Sequence, residues 1–211
     1  MLASLRADDR LARSLAASGP APAARPLWLA WLRSPGLRLM TAHRLAHRFE
    51  RPRPRGLHRL VPFLAAKVAI LALRYAALVA TKSELAPETP VDAGVALADG
   101  GYIIGGARHI GRGTVIGEHV TIGMDMKHEL KPFIGQDVWI SPRCITYGDI
   151  RLGDGATLLP RTVLSRSVPP GAVVEGNPGR VVGILADHTA LRRRLLESTA
   201  VSAADFLPRA T

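Results

Sequence analysis

The chain has 211 residues, of which 47% are hydrophobic, and a formal net charge of +11 at pH 7. This length gives room for one domain with a sizeable core and an accessory region, and nothing in it requires two independent folds. Its single cysteine, Cys144, excludes an internal disulfide and fits a reducing cytoplasm.

The positive charge is confined to the N-terminal part of the chain. Residues 1–84 contain 15 Lys and Arg against 4 Asp and Glu, whereas 85–211 contain 13 of each kind. Such a surface attracts anionic lipid, acidic polysaccharide or nucleic acid. No aromatic-rich basic strand or nucleic-acid motif accompanies it, so nucleic acid ranks last, and contact with a membrane surface or an anionic polysaccharide stays open.

The first 25 residues are rich in Ala, Arg and Ser and offer little to pack. They predict a disordered segment or a frayed helix. Asp8 and Asp9 argue against a transit peptide, and no apolar core long enough for a signal peptide follows the first arginine.

Residues 26–82 form the predicted basic α-helical region. The apolar stripe of "SPGLRLMTAHRLAHRF" indicates one helix, which the Pro35-Gly36 pair separates from the preceding one. His43 and His47 have the helical spacing of a metal pair, but no third ligand is evident, so we assign no metal and expect an ordinary helix face.

The next segment, "LVPFLAAKVAILALRYAALVATK", is apolar enough to be compared with a membrane span. Lys67 and Arg74 would cost roughly 5 to 7 kcal/mol near the bilayer centre, against about 3 to 5 kcal/mol gained from the apolar residues. We therefore predict a packed amphipathic helix. Docking on a membrane surface beside the Arg-rich stretch 51–59 is the alternative.

A six-residue repeat follows these helices. The stretch "IGRGTVIGEHVTIG" places an aliphatic residue and then a glycine at 110, 116 and 122, and the same phase continues through Ile134, Ile140, Thr146, Leu152, Leu158 and Leu164. A period of six matches neither a helix nor a single strand. A second column, four positions later in each hexad, is small or β-branched: Thr114, Val120, Val138, Cys144, Ile150, Ala156, Thr162 and Val168. Two inward columns predict a parallel β-helix of stacked coils.

After the repeats, the stretch "DHTALRRRLLESTAVSAADFL" predicts a helix that caps the open end of the coil stack. Cys144, in the second inward column, is predicted to be a buried small hydrophobic residue rather than a reactive thiol.

The order of these segments is helices first, then the hexads, then the stretch "VPPGAVVEGNPGRVVG". Over roughly residues 34–183 this order and these motifs resemble the left-handed β-helix acyltransferases, and in particular their serine acetyltransferase-like branch. The resemblance implies a mainly β fold with a left-handed parallel β-helix at 83–183, preceded by the helical region and closed by a helical cap at 184–211. It also implies a homotrimer that holds acetyl-CoA between subunits as a co-substrate, with no permanently bound cofactor, and a histidine that takes the proton of an acceptor hydroxyl.

In this resemblance Glu84 matches the acidic residue that orients the catalytic histidine, but Asp99 stands where that histidine is expected. A carboxylate is a weaker base than an imidazole by about 2.5 pKa units. A Glu84–Asp99 pair that shares one proton could offset this difference. The other interpretation is that Asp99 is a turn residue in "ADGG".

The stretch "GMDMKHELKPFIG" carries a second departure. The serine enzymes have a substrate-contacting histidine where this chain has Lys131, which disfavours serine as the acceptor. His128 lies in the twelve-residue interval from Ile122 to Ile134, and the branch that acetylates antibiotics and sugars has its base on a comparable loop. We therefore predict His128 as the base, with a solvated loop histidine as the alternative. The histidines at 109 and 119 are expected to be surface residues.

For coenzyme binding the resemblance points to Arg166, Asn177, Pro178 and Arg180 in the last coils, where cationic side chains suit nucleotide phosphates. Pro142 and Pro160 replace small residues at positions where the family's backbone faces the coenzyme arm. Proline has no N–H to donate there.

The sequence therefore predicts a cytoplasmic acetyl-CoA-dependent O-acetyltransferase, an acyltransferase whose acceptor is a sugar, a glycoconjugate or a small hydroxyl metabolite. Two alternatives stay open: a catalytically impaired trimeric scaffold or partner subunit, and a serine acetyltransferase in the strict sense. The basic helical region would hold the trimer near a membrane or collect an anionic acceptor.

Overall fold

The computed structural model describes residues 1–16, 26–50, 57–99, 101–124 and 129–197. The helices are α1 (Leu2–Ala16), α2 (Leu27–Arg33), α3 (Pro35–Phe49), α4 (Leu57–Thr81) and, after the last strand, α5 (Thr189–Glu197). The strands between α4 and α5 are β1 (Glu84–Leu85), β2 (Ala96–Leu97), β3 (Ile104–Gly105), β4 (His109–Ile110), β5 (Val115–Ile116), β6 (Thr121–Gly123), β7 (Phe133–Ile134), β8 (Trp139–Ile140), β9 (Ile145–Tyr147), β10 (Arg151–Leu152), β11 (Thr157–Leu158), β12 (Val163–Leu164), β13 (Ala172–Glu175) and β14 (Arg180–Ile184).

The strands form the three walls of a parallel β-helix. A five-stranded sheet has the order β1-β3-β6-β9-β12, a three-stranded sheet β10-β7-β4, and a six-stranded sheet β14-β13-β11-β8-β5-β2. In the described residues only β13 and β14 pair antiparallel. Trp139 pairs with Thr157, so one coil takes eighteen residues, or three hexads. Val115 pairs with Trp139, and the six additional residues of that coil belong to the loop 124–132 between β6 and β7.

The two predicted inward columns are the core. All nine anchors of the first column are at most 3% exposed, and Thr114, Val120, Val138, Cys144 and the rest of the second column are at most 6% exposed. Burial raises the pKa of the Cys144 thiol to about 12, as expected for a packed residue and not for a nucleophile. A Cβ on Gly111 would lie 2.4 Å from the carbonyl oxygen of Gly135 in the next coil. The glycine behind the aliphatic anchor is therefore required by the close stacking of the coils.

α3 joins the helical region to the β-helix. Ser34 caps its N-terminus, Pro35 occupies its first turn, and Leu39, Met40 and Ala42 are part of the same buried cluster as the coil interior. The ring nitrogens of the two histidines of α3 face backbone carbonyls: His43 Nε2 lies 3.1 Å from Thr89 O, and His47 Nδ1 lies 2.8 Å from Pro87 O. These rings hold the chain after β1 against α3.

The first helix differs from the expectation of a disordered or frayed segment, because residues 2–16 are a docked helix. Its Asp8 is 3% exposed and accepts two hydrogen bonds of 3.0 Å from Arg44 of α3. It also accepts from the backbone N–H groups of Gly94 and Val95. These four donors offset only part of the desolvation, because burial raises the pKa of the Asp8 carboxyl. The remainder of the predicted segment, 17–25, lies outside the described residues.

The predicted C-terminal helix is present, and it packs on the flank of the six-stranded sheet rather than over the open end of the coils. Leu191 and Leu195 of α5 pack against Trp139, Leu159 and Val173, which point outward from the six-stranded sheet. The helix lies on this flank because the outward side chains there are apolar and need covering. Residues 198–211, the rest of the predicted cap, lie outside the described part.

Candidate active site

One edge of the β-helix, between the six-stranded and the five-stranded sheets, carries a histidine and two arginines in a row. His119, Arg143 and Arg161 occupy the same turn position in successive coils, and all three have positive φ (55°, 63° and 66°). The stack is built through the backbone, because Arg143 N donates to Glu118 O and Arg161 N donates to Pro142 O. We call the edge formed by His119, Arg143 and Arg161 the cationic edge.

The cationic edge lines a cleft of about 490 Å³. Pro142 and Pro160 form part of its wall, and Leu195 and Leu196 of α5 close one side. Proline supplies no N–H, and the neighbouring N–H groups of Arg143 and Arg161 are used within the stack. A bound anion would therefore be held here by side chains.

Aromatic and basic groups extend the edge towards the helices. The ring of His119 stacks on Tyr102 at 4.6 Å between centroids. Lys82 Nζ donates to the Tyr102 hydroxyl at 2.9 Å, and this hydrogen bond raises the pKa of the lysine. Among the described residues no carboxylate forms an ion pair with Arg143 or Arg161. The guanidinium groups are thus available to an anionic ligand.

Asp99 has a structural role in the molecule. Its Oδ1 accepts from Ser34 Oγ at 2.7 Å and from the backbone N–H of Gly36 at 3.1 Å, at the N-terminus of α3. A carboxylate is favourable at a helix N-terminus because of the unpaired N–H groups and the helix dipole. Gly36 allows this approach, since a Cβ there would lie 2.5 Å from Leu97 O.

Within one subunit Glu84 and Asp99 accept from different donors, so the structure does not show the predicted carboxylate pair that shares a proton. Glu84 Oε1 accepts from Arg74 of α4 at 2.8 Å. Glu84 lies on the five-stranded sheet, whereas Asp99 follows β2 of the six-stranded sheet. Each carboxylate has its own donors, because the helical region supplies a different partner to each.

A second cleft lies at the edge between the five-stranded and three-stranded sheets, where the loop 124–132 leaves the coils. We call it the loop edge. This cleft has a volume of about 370 Å³ and includes Glu84, Glu88 and Lys131. Lys131 Nζ donates to Glu88 Oε1 at 2.6 Å, and this hydrogen bond lowers the pKa of Glu88. His128, the predicted base, lies outside the described residues.

The predicted coenzyme residues divide between two edges. Asn177 and Pro178 form the turn between β13 and β14 and add a further rung to the cationic edge, where Gly179 N donates to Val163 O. Arg180 is the first residue of β14, and its backbone lies opposite Glu175 in the antiparallel pairing with β13. Arg166 is exposed in the bend after β12, on the side of the loop edge. Within one subunit Arg166 is therefore not grouped with the other three.

His119 is exposed, as the sequence predicted, but sequence reasoning did not place it in a cleft. It lines the cleft at the cationic edge together with the two arginines. The signal was present in the repeat, because His119, Arg143 and Arg161 each lie three residues after an inward anchor. Side chains at equal positions of successive coils stack about 4.8 Å apart.

No family model matches the chain. The serine acetyltransferase of Mycobacterium tuberculosis is 29% identical over 186 residues, which cover 87% of this chain and 74% of that enzyme. The serine acetyltransferase of Bacillus licheniformis is 31% identical over 164 residues, 76% of this chain and 70% of that enzyme. A solved structure of serine acetyltransferase in complex with coenzyme A from Brucella abortus has a TM-score of 0.69 at 22% identity, covering 87% of this chain and 68% of that one.

These likenesses confirm the predicted fold: a left-handed parallel β-helix of hexapeptide repeats, with helices before it and a helix after it. At 22% identity the structural likeness carries the fold alone. What individual side chains do is inferred from their contacts at the cationic edge and the loop edge.

Proposed function

Because the chain belongs to the hexapeptide-repeat acyltransferases of the serine acetyltransferase type, we propose that it transfers an acetyl group from acetyl-CoA to a hydroxyl group of a sugar, a glycoconjugate or a small metabolite. The observation that carries this proposal is the cleft at the cationic edge. Its guanidinium groups, Arg143 and Arg161, have no carboxylate partner in the described part of the chain and suit the phosphates of a nucleotide coenzyme.

The transfer is a direct attack. The acceptor oxygen forms a bond to the thioester carbonyl carbon while a base takes the hydroxyl proton. The C–S bond then breaks, the sulfur leaves as a thiolate that takes up a proton, and the acetyl ester is released. The protein has to supply a base of suitable pKa and donors for the developing oxyanion.

Two histidines compete for the role of the base. His128 is proposed from its place on the loop 124–132. His119 is proposed from its position in the cleft next to Arg143 and Arg161. Asp99 is a weaker candidate, because the lone pairs of Oδ1 accept from two donors of α3.

We also propose that the active protein is a homotrimer and that the site is completed between subunits. The cationic edge and the loop edge border the five-stranded sheet on its two sides. If the outer faces of three such sheets meet around a threefold axis, the cationic edge of one subunit faces the loop edge of the next. This arrangement would join Arg166 and Lys131 of one subunit to the cleft of its neighbour.

The test is CoA release from acetyl-CoA by the purified protein with a panel of sugar acceptors and serine. Variants His119→Ala, His128→Ala and Asp99→Asn are compared with Arg166→Ala as a binding control. Loss of turnover in one histidine variant, with acetyl-CoA affinity retained, identifies the base. Absence of acetyl-CoA binding in the folded wild-type protein would contradict the proposal.

A non-catalytic trimeric scaffold is the second candidate, and the observation that favours it is the capping role of Asp99. In that case the protein binds its partner without turning over any acceptor. Strict serine acetyltransferase activity is tested by the serine arm of the panel, because the relatives carry that name. The ion pair of Lys131 with Glu88 stands against it, since the lysine replaces the substrate-contacting histidine.

A further inference from the structure

The outer face of α4 is apolar from Val61 to Val79 and is not covered by the described part of the protein. Its large side chains recur at three- and four-residue intervals and are strongly exposed: Val61 63%, Leu64 50%, Val68 67%, Leu71 64%, Tyr75 67% and Val79 61%. The segment Leu60–Thr81 has a mean hydropathy of 1.9, and only Ala77 and Thr81 in it are buried. A helix of 25 residues is about 37 Å long, so the face is extended.

The opposite face of α4 packs against α3 and the β-helix. Phe63 contacts Phe49 of α3 with ring centroids 5.7 Å apart, and Ala77 is 6% exposed within the main core, where Leu73 packs against it. Arg74 is tied to Glu84 at the start of the β-helix. Crossing a bilayer would break these contacts and bury Lys67 and Arg74 in hydrocarbon. The helix can instead lie along a surface with its outer face turned down.

Charge distinguishes between the two surfaces that could cover this face, which are a second copy of α4 and an anionic lipid surface. In the sequence, residues 51–83 contain no Asp or Glu, but they do contain seven basic residues: Arg51, Arg53, Arg55, Arg59, Lys67, Arg74 and Lys82. A second α4 would bring only further cations to Lys67, with no carboxylate to pair across the seam. An anionic lipid surface attracts the same charges and accepts the apolar side chains.

We propose that α4 is an interfacial helix that docks the protein on an anionic membrane surface. Val68, Leu71 and Tyr75 enter the boundary between headgroups and acyl chains. Lys67 lies at the border of the apolar face. Its Nζ is 5.5 Å from the centroid of the Phe63 ring, and the long side chain can extend so that the ammonium group reaches the headgroups.

The experiment is flotation of the full chain with vesicles of phosphatidylcholine alone and of phosphatidylcholine mixed with phosphatidylserine. We expect binding to the anionic vesicles only, and a decrease at high NaCl concentration, because salt screens the charges. The double variant Val68→Glu/Leu71→Glu should lower the apparent affinity by more than about tenfold, because it removes apolar area and adds repulsion.

The matched control is Val181→Glu/Ile184→Glu, which makes the same change in charge on β14. Its side chains are 43% and 64% exposed, and β14 lies at the end of the six-stranded sheet opposite to β2. This control should bind like the wild type. Failure of the wild-type protein to float with anionic vesicles would overturn the proposal, as would equal binding to neutral ones. A halving of the particle mass in solution caused by Val68→Glu/Leu71→Glu, without vesicle binding, would assign the face to a second copy.

Discussion

Asp99 shows how one residue can carry two opposite interpretations, and its variants separate them. If the carboxylate is a helix cap, Asp99→Ala removes the acceptor for Ser34 Oγ and Gly36 N and lowers the free energy of unfolding by about 1 kcal/mol. Asp99→Asn keeps an acceptor oxygen and should retain both stability and turnover. Urea unfolding and CoA release measure the two effects separately. Loss of turnover in a stable Asp99→Asn protein would restore Asp99 as the base.

The buried histidine of α3 makes a prediction about pH. Desolvation lowers the pKa of His43 to about 4, despite its hydrogen bond to Thr89 O. The unfolded chain takes up this proton near pH 6.5, so the folded state loses stability as the pH falls from about 6.5 towards 4. Between about pH 7.5 and pH 5 the contribution of His43 to the free energy of unfolding should fall by about 2 kcal/mol.

The measurement is urea unfolding of the wild type and of His43→Gln at these two pH values. Glutamine can donate to Thr89 O but does not titrate, so the variant should lose less stability on acidification than the wild type. His188, whose pKa burial also lowers, acts in the same direction and is unchanged in both proteins. Equal losses in the two proteins would contradict the role of His43.

At the scale of elements, α5 connects stability to the cleft. Leu191 is 1% exposed against the six-stranded sheet, so Leu191→Ala should cost about 2 to 4 kcal/mol in the free energy of unfolding. Leu196 is 52% exposed and lines the cleft. Leu196→Ala should therefore leave the unfolding curve nearly unchanged while weakening acetyl-CoA binding. Isothermal titration and urea unfolding check the pair, and equal effects of both variants on stability would contradict this division.

The elements also show what the sequence could predict. The six-residue period needs only local information, because an inward anchor and a turn recur every six residues; Ile116, Ile140 and Leu158 were placed correctly for this reason. That α1 is an ordered, docked helix depends on a buried ion pair between Asp8 and Arg44. These two residues are far apart in the sequence, and no repeat in the sequence connects them. The position of α5 depended on outward side chains such as Trp139, which a hexad pattern leaves undetermined.

For the candidate site, the sequence identified residue types better than their grouping. The prolines at 142 and 160, singled out because the family's backbone faces the coenzyme arm there, line the cleft at the cationic edge. Glu84 and Asp99 were paired by analogy, but each carboxylate found a different donor on the helices, Arg74 and Ser34. The position of a turn residue within the six-residue repeat determines which edge of the β-helix it occupies. The partners that the helical region supplies do not follow from it.

On the scale of the whole molecule, the three faces of the β-helix are covered to different degrees. The six-stranded sheet is packed under α5, and the three-stranded sheet carries a stack in which Arg151 lies over Phe133, itself stacked on His109. The five-stranded sheet presents an outward row in register, Ile104, Thr121, Ile145 and Val163. Ile104 is 59% and Ile145 39% exposed. This face is the one that subunit association would cover.

The trimer proposal therefore makes a prediction for this face. Ile104→Glu/Ile145→Glu places six like charges around the threefold axis, so we expect the protein to sediment as a monomer while its circular dichroism stays unchanged. Turnover should fall by about a hundredfold or more, because a site completed between subunits loses the groups that position the substrate. The control Val181→Glu/Ile184→Glu should remain a trimer. A monomeric wild type, or a monomeric variant with full turnover, would place the whole active site within one subunit, because the cationic edge would then act without the loop edge of a neighbour.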